Sequence, residues 1–178
     1  MAYTVRLCTL PAVPSTIDPP RLSSTIDTQL LVCTLGDVRI AWPVAAVREI
    51  VRAVAITRLP GAPALVEGVI DVRGTLVPVL DLRARFGVPA RTLDPAEQMV
   101  ILDAGTRTVA FRVDRTETII DFEPDALAEP AGLTSAARSV RGVASTADGL
   151  VVVHDVGAFL DDSESRALDG AVATAATR

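Results

Sequence analysis

The sequence predicts an all-β fold, either one barrel or a pair of barrels built from short strands. Aromatic residues make up only 3% of the chain, so Val, Leu, Ile and Ala must fill the core, and β-branched residues favour strands. Apolar runs are short, and turn residues such as Gly, Pro and Asp separate them at close intervals. We count about nine or ten such runs, and closing them into barrels would remove their exposed edges.

The first predicted strands form a hairpin, because "QLLVCTL" and "VRIAW" flank the two-residue turn signal Gly36-Asp37. In the stretch that follows, "PVAAVREIVR", Pro43 suits a first helical position. Apolar residues then recur near a helical spacing, at Val44, Val47, Ile50 and Val51. We therefore expect one or two helical turns here, with Val44 and Ile50 in the core.

The rest of the chain reads as further strands and turns. The run "AVAITRL" is strand-like and ends at the turn "PGAP". Two strands follow, "ALVEGVIDVRG" and "TLVPVLDL", and Pro78 restricts the second one to a sheet edge, a bulge or a strand start. We expect a short helical turn and then a loop in "RARFGVPARTLDPAE", and a strand in "TETIIDFEP". Two more hairpins are predicted to turn at Ala104-Gly105 and at Ala147-Asp148-Gly149.

The chain has 178 residues, near the common size of one domain. Residues 28–162 carry the strand pattern and are predicted to form that domain. Residues 1–27 are rich in Pro, Ser and Thr and are predicted to be a flexible arm. Residues 163–178 are polar and then alanine-rich, which is typical of a tail or a frayed helix.

Charge and composition exclude several classes of partner. The net charge is −5 and like charges are not clustered, which argues against nucleic acid and against a basic membrane patch. Apolar residues are spread in short runs, so direct membrane insertion is not expected. Cys33 lies in the apolar run "LLVCTL" and is most simply a buried thiol in a reducing compartment. We therefore expect a cytoplasmic protein.

The sequence offers little catalytic chemistry. His154, the one histidine, is embedded in "VVVHDV", and we expect it either to face solvent or to bond a backbone carbonyl. A hydrolase that uses His154 with Asp155 or Asp81 is the enzymatic alternative, but no nucleophile is placed beside them. One histidine and two separated cysteines do not make a zinc site, and the glycines show no nucleotide-binding spacing. The sequence thus predicts no enzyme, no cofactor and no metal.

The segment 59–87, "LPGAPALVEGVIDVRGTLVPVLDLRARFG", closely resembles the central signature of the CheW-like domain of bacterial chemotaxis adaptors. Three other blocks resemble parts of the same family in the same order. They are "LVCTLGDVRIAWPVAAVREIV", "RTVAFRVDRTETII" and "VRGVASTADGLVVVHDVGAFL". The resemblance spans roughly residues 28–162.

The resemblance implies a fold of two adjacent five-stranded SH3-like β-barrels, with short helical turns and a groove between the barrels. It also implies a non-catalytic adaptor that couples methyl-accepting chemoreceptors to a CheA-type histidine kinase. The expected partners are the cytoplasmic receptor tip, the regulatory domain of the kinase, and other CheW-like domains in array rings. The adaptor would be recruited from the cytoplasm to membrane-anchored arrays. A non-flagellar chemosensory-like pathway, controlling surface motility, development or a second messenger, remains the alternative.

The family motif also assigns roles to individual residues. Arg73, Val47 and Glu49 match positions associated with receptor binding. Arg73 could instead pair with Asp71 or Asp81 inside the chain and brace the barrels. The structural positions of the motif are matched by Gly68, Gly74, Pro78 and Asp81.

The kinase is expected to dock on the end of one barrel through exposed apolar side chains, for which Ala62, Leu65 and Val66 are the candidates. The sequence departs from the family pattern at Asp71, where the family usually has asparagine. An added carboxylate near Arg73 would weaken its attraction for an acidic receptor group.

Overall fold

Ten strands and two helices make up the part of the chain that the computed structural model describes, residues 29–122, 127–128 and 139–176. The strands are β1 (Gln29–Leu35), β2 (Val38–Pro43), β3 (Val47–Arg52), β4 (Val66–Val72), β5 (Thr75–Leu80), β6 (Gln98–Asp103), β7 (Thr108–Val113), β8 (Arg115–Asp121), β9 (Val140–Thr146) and β10 (Gly149–His154). The helices are α1 (Leu82–Phe86) and α2 (Asp162–Ala176), and a 3-10 turn covers Val44–Ala46. The predicted arm, 1–27, lies outside the described residues, as does most of the loop between β8 and β9.

The strands form two five-stranded sheets, which confirms the all-β prediction of two five-stranded units. The first sheet has the order β8-β1-β2-β10-β9, and the second has the order β3-β6-β7-β5-β4. The end strands of each order have one neighbour, so the pairings describe sheets with two ends rather than closed rings. Isolated bridges extend these ends, one from Thr57 to Val69 on β4 and one from Ala128 to Val143 on β9.

The two sheets repeat one pattern of connections. A central hairpin, β1–β2 or β6–β7, pairs in parallel with the second strand of another hairpin, β9–β10 or β4–β5. The parallel contact covers two residue pairs in each sheet. A single strand, β8 or β3, then lies antiparallel to the first strand of the central hairpin, with a bulge in the pairing. In chain order, the second sheet is inserted between β2 and β8 of the first.

The central hairpins are buried on both faces, which explains their continuous apolar runs. Between the sheets lies one shared cluster, where the Trp42 ring stacks on Phe111 at 5.2 Å and Phe159 meets Phe111 edge-on at 4.7 Å. Separate clusters fill the other face of each sheet, around Val32 and Val153 in the first and around Val79 and Ile101 in the second. The two sheets therefore pack as one unit.

The helical prediction for residues 43–52 is wrong beyond the short 3-10 turn. Val47–Arg52 forms a strand whose residues alternate between half-buried and exposed. Ile50, predicted as core, is 40% exposed, whereas Val44 packs against the shared cluster. The run 53–59 was also predicted as a strand, but it has only the bridge at Thr57. Exposed and half-buried residues alternate along β3 with a period of two, as expected for a strand. The apolar residues of the same segment also fit a helical spacing, which is why the sequence predicted a helix.

Helix α1 confirms the predicted short helical turn. The Asp81 carboxylate accepts a hydrogen bond from the backbone N–H of Ala84 at 3.0 Å and so caps the start of α1. Gly87 ends the helix in the left-handed conformation, with φ 65°. Asp81 is thereby fixed at the junction between β5 and α1.

Pro78 lies in β5, which has a neighbour on each side and is not an end strand. The parallel pairing with β7 involves only Val79 and Leu80, so Pro78 stands just before that pairing begins. At Pro78, β5 is therefore paired with β4 on one side only, as an edge strand would be. On β4, Gly68 is required by a close approach, because a Cβ there would lie 2.3 Å from the Thr57 carbonyl oxygen.

Of the two alternatives for residues 163–178, a tail or a frayed helix, the structure has a helix, α2, and this helix packs on the second sheet. Leu168 is fully buried and Ala171 nearly so, against Leu59 and Val69. The alanine-rich composition concealed this contact, because a single leucine supplies most of the apolar side chain.

Candidate functional site

The candidate site begins at the two-residue turn of the β4–β5 hairpin, Arg73-Gly74. Both residues have positive φ, 52° for Arg73 and 86° for Gly74, as in a type I′ turn. The Asp71 carboxylate accepts a hydrogen bond from the Gly74 N–H at 2.6 Å and holds the turn. A left-handed conformation is unfavourable for a non-glycine residue, so the turn keeps Arg73 at an energetic cost.

The Arg73 guanidinium pairs with Glu49 of β3, with 2.9 Å between Nη2 and Oε2. The Arg73 side chain is 84% exposed, whereas that of Glu49 is 27% exposed. Because β3 and β4 are opposite ends of the second sheet, this ion pair joins the two ends and shows that the sheet curls. The structure thus brings together two of the three predicted receptor-binding residues.

The alternative partners considered for Arg73 do not hold it. Asp71 bonds the Gly74 N–H, and Asp81 caps α1. An internal partner does exist, but it is Glu49, so Arg73 is both braced within the chain and exposed.

Val47, the third predicted residue, starts β3 and packs partly against the shared cluster. The pairing of β3 with β6 shifts between Val47 and Glu49, because Arg48 is bulged and reaches Asp103 at 2.7 Å. Val47 therefore supports the strand from inside.

Exposed apolar side chains accompany the charged pair along the chain. Ile50 follows Glu49 on β3, and Leu76 lies opposite Asp71 in the β4–β5 hairpin, with 40% and 37% of their areas exposed. Successive strand residues point to opposite faces, so Ile50 lies on the face of β3 opposite Glu49, and the two exposed apolar residues are neighbours of the charged pair in sequence.

The three candidate kinase-contact residues lie together but are half-buried. Leu65 and Val66 pack partly against the shared cluster, and Ala62 and Val66 pack partly beneath α2. Ala62 and Val66 also line an open cleft of about 670 Å³. Their side chains are partly used inside the chain, and a kinase contact there stays a prediction.

Buried charges behind this cleft were missed by the sequence analysis. Arg112 bonds Glu97 at 3.1 Å and Glu67 at 3.0 Å, and Arg83 pairs with Asp114. Burial raises the pKa of Glu67 above its ordinary value. Each guanidinium has a carboxylate partner, so the group braces β7, β4 and α1. The signal was an arginine inside the apolar run "TVAFRV".

His154 is fully buried at the end of β10, and its Nδ1 lies 3.0 Å from the Ser139 carbonyl oxygen. The carbonyl alternative is therefore confirmed, and the solvent-facing one is wrong. Burial lowers the pKa of His154 to about 4, so the ring is neutral near pH 7. The Asp155 carboxylate bonds the Gly157 N–H and Asp81 caps α1, so the structure gives the hydrolase hypothesis no assembled group.

Cys33 is buried in β1, as the sequence predicted. Burial, with a contribution from the Glu117 carboxylate, raises the pKa of the Cys33 thiol to about 12. The thiol is therefore unreactive. In the described ranges, no helix has the length and apolar character needed to cross a membrane.

Comparison with known proteins identifies the family. The CheW-like domain profile matches residues 29–164. The chemotaxis protein CheW of Klebsiella aerogenes is 24% identical over 147 residues, which cover 82% of this chain and 89% of the relative. Protein FrzA of Myxococcus xanthus is 29% identical over 113 residues, covering 61% and 69% of the two chains.

A solved structure shows the same fold. The crystal structure of the scaffolding protein TtCheW from Thermoanaerobacter tengcongensis matches with a TM-score of 0.70 and 24% identity, covering 80% of this chain and 94% of that one. With the profile match over most of its length, the chain belongs to the CheW-like domain family, whose members are non-catalytic adaptors of chemotaxis.

Proposed function

We propose that this protein couples the cytoplasmic tips of methyl-accepting chemoreceptors to a CheA-type histidine kinase. It would act in the cytoplasm, recruited to membrane-anchored receptor arrays. The observation that carries the proposal is the exposed Arg73 guanidinium, held at a hairpin tip by one contact to Glu49. Two of its relatives are named as a chemotaxis protein and a probable chemotaxis protein, which supports a role in chemotaxis.

Arg73 suits the recognition of a receptor tip. Guanidinium has five N–H donors, and the Glu49 contact occupies Nη2, which leaves donors for carbonyl or carboxylate groups of a partner. Glu49 also keeps the arginine oriented, so less side-chain freedom is lost on binding. A receptor carboxylate would compete with Glu49 for the guanidinium. Because salt screens the attraction between exposed charges, coupling should weaken as salt is added.

The kinase would dock elsewhere on the second sheet. Ala62, Leu65 and Val66 remain the proposed contacts for its regulatory domain, and other CheW-like domains in array rings are the further proposed partners. Each contact would be weak alone, and many linked contacts in an array would raise the overall affinity.

The test is reconstitution of receptor-controlled phosphorylation. Purified protein, a receptor cytoplasmic fragment and the kinase should together increase phosphate transfer to a response regulator. Arg73→Glu should abolish this increase because it places a carboxylate where the guanidinium contacts the receptor. Arg115→Glu is the matched control, since Arg115 is a similarly exposed arginine, 71%, on the first sheet and should retain the increase. A wild-type protein that binds neither receptor nor kinase would refute the proposal.

A second candidate pathway is a chemosensory-like system without flagella, controlling surface motility, development or a second messenger. The similarity to protein FrzA, together with Asp71 in place of the usual asparagine, favours keeping it. A pull-down from the native cytoplasm, combined with the identity of neighbouring genes, separates the two. Recovery of flagellar-pathway receptors and kinase would exclude this candidate.

A further inference from the structure

The hairpin tip that carries Arg73 has one more carboxylate than guanidinium. Arg73 pairs with Glu49, and Asp71 stands two residues before Arg73 on β4. Arg48, the nearest cation on β3, is engaged in a separate ion pair of 2.7 Å. Arg52 is three residues beyond Glu49, which is about 10 Å along a strand. Asp71 therefore adds a negative charge to a tip where the arginine already has a partner.

The turn uses an oxygen of Asp71 but does not need its charge. Oδ1 of Asp71 accepts a hydrogen bond from the Gly74 N–H at 2.6 Å, and the side-chain oxygen of an asparagine could accept the same bond. Among the described residues, this bond is the only polar contact of the Asp71 side chain. Asp71 is exposed, so its second oxygen is accessible to a partner.

Leu76 adds an exposed apolar surface beside this carboxylate. It lies directly opposite Asp71 in the antiparallel pairing of β4 with β5. Residues placed in this way project from the same face of a sheet, with their Cβ atoms about 4.5–5.5 Å apart. Leu76 is 37% exposed. The same face of the hairpin thus presents a carboxylate oxygen and a leucine side chain to a partner.

A lysine or arginine side chain has the chemistry that these two groups bind together. Its charged head can donate a hydrogen bond to the second Asp71 oxygen, while its aliphatic stem packs on Leu76. An acidic side chain in this place would be repelled by the carboxylate. The neighbouring Arg73 keeps donors for a carbonyl or carboxylate group, so the tip can bind two groups of opposite polarity side by side.

We propose that Asp71 and Leu76 bind a basic side chain of the receptor tip, next to the group that Arg73 binds. Asp71 is then a specificity-determining residue, because it favours receptors that present a cation at this place and disfavours those that present only acidic groups. The inference rests on the proposed receptor coupling and adds the chemistry of the partner surface.

The test measures the affinity of the full chain for a receptor cytoplasmic fragment at low salt. Asp71→Asn keeps the oxygen that holds the turn and removes the charge, so it should weaken binding at least about 3-fold. If Asp71 only reduced the attraction of Arg73 for an acidic group, the same variant would bind more tightly. Asp37→Asn is the matched control, since Asp37 is an exposed acid in the β1–β2 turn of the first sheet, and it should leave the affinity unchanged.

A double-mutant cycle identifies the receptor cation. Each exposed lysine or arginine at the tip of the fragment is replaced by glutamine in turn, and binding is measured with the wild-type chain and with Asp71→Asn. For one of these fragments, Asp71→Asn should cause no further loss of affinity. Leu76→Ser should also weaken binding of the unaltered fragment, whereas Leu150→Ser, at a leucine of the first sheet that is 65% exposed, should not. Urea unfolding checks that each variant is folded.

The outcomes separate this inference from the proposed function. If the wild-type chain binds the fragment and Asp71→Asn binds it equally well or more tightly, receptor coupling stands and the basic contact is wrong. A cycle in which no receptor cation is coupled to Asp71 leads to the same conclusion. A wild-type chain that binds no receptor fragment would overturn both.

Discussion

The first and second sheets share one pattern of connections but use their charged side chains differently. In each sheet, the single strand beside the central hairpin carries a glutamate at or next to a bulge, Glu117 in β8 and Glu49 in β3. Arg39 of β2 binds Glu117 at 2.9 Å, and its side chain is 18% exposed. Arg73 binds Glu49 at the same distance from a hairpin tip and is 84% exposed.

The two arginines join corresponding parts of the fold. Arg39 also donates a hydrogen bond to Thr146 of β9 at 3.2 Å, so it links both ends of the first sheet from its middle. Arg73 links both ends of the second sheet from the outside. The two ends of the first sheet are linked by a largely enclosed arginine, whereas those of the second sheet are linked by an arginine at the surface. Only the surface arrangement leaves a guanidinium available to a partner.

The residues that follow the parallel strand pairs also differ between the halves. Asp81 follows Leu80 in the second sheet, is half-buried and caps α1. His154 follows Val153 in the first sheet, is fully buried and lies 4.8 Å from the Phe86 ring. The first sheet therefore has a neutral imidazole, buried where a charged group would be unfavourable, at the position where the second sheet has the Asp81 carboxylate.

The largest predicted effect is a loss of stability at low pH caused by the buried His154. The folded-state pKa of His154 is lowered to about 4, whereas the unfolded value is near 6.5, so its contribution is present above pH 6.5. As pH falls from 6.5 to 4, the unfolded state gains a proton that the folded state does not bind. The free energy of unfolding should fall by up to about 3 kcal/mol over this window. Urea unfolding at a series of pH values measures it.

The control for this prediction is His154→Asn, which lacks a titrating ring. Glu67, whose pKa is raised by burial, acts in the opposite direction and is common to both proteins, so subtraction isolates His154. Parallel pH profiles for the variant and the wild type would show that His154 does not create the acid sensitivity.

The sequence predicted these two halves unequally. Turn residues such as Gly36-Asp37 and Ala104-Gly105 marked the hairpins, because glycine favours positive φ whatever surrounds it. The spacing of Val44, Val47 and Ile50 predicts a helix, whereas the segment from Val47 is strand β3 because it pairs with β6. Packing between distant segments overrides local pattern at such places.

The sequence predicted which residues belong to the candidate site, but it did not predict the contacts between them. The resemblance to the family pointed to Arg73 and Glu49, which are 24 positions apart. Their ion pair depends on how far the second sheet curls, and no local sequence signal encodes that. The buried pairs of Arg112 and the covering by α2 were missed for the same reason, since each depends on which surfaces meet.

The next prediction compares the two linking arginines directly. Arg39→Ala removes bonds to Glu117 and Thr146 in a largely enclosed place and should lower the free energy of unfolding by about 1–2 kcal/mol. Arg73→Ala removes a surface pair and should cost under about 0.5 kcal/mol. Chemical denaturation of both variants gives the values. Arg39→Met, which keeps the aliphatic stem, separates lost packing from lost hydrogen bonds. Equal losses for Arg39→Ala and Arg73→Ala would remove the distinction between internal and surface links.

The smallest predicted effect concerns the backbone of the Arg73 turn. Asn-Gly is the preferred pair for a type I′ turn, and asparagine tolerates the left-handed conformation better than arginine. Because Arg73 has φ 52°, Arg73→Asn should raise the free energy of unfolding by about 0.5–1 kcal/mol, while Arg73→Ala, which keeps the strained backbone, should not. Both variants should lose receptor coupling. That combination would show that arginine is kept here for binding and at the expense of stability, whereas an asparagine variant no more stable than the alanine variant would show that the turn carries no strain.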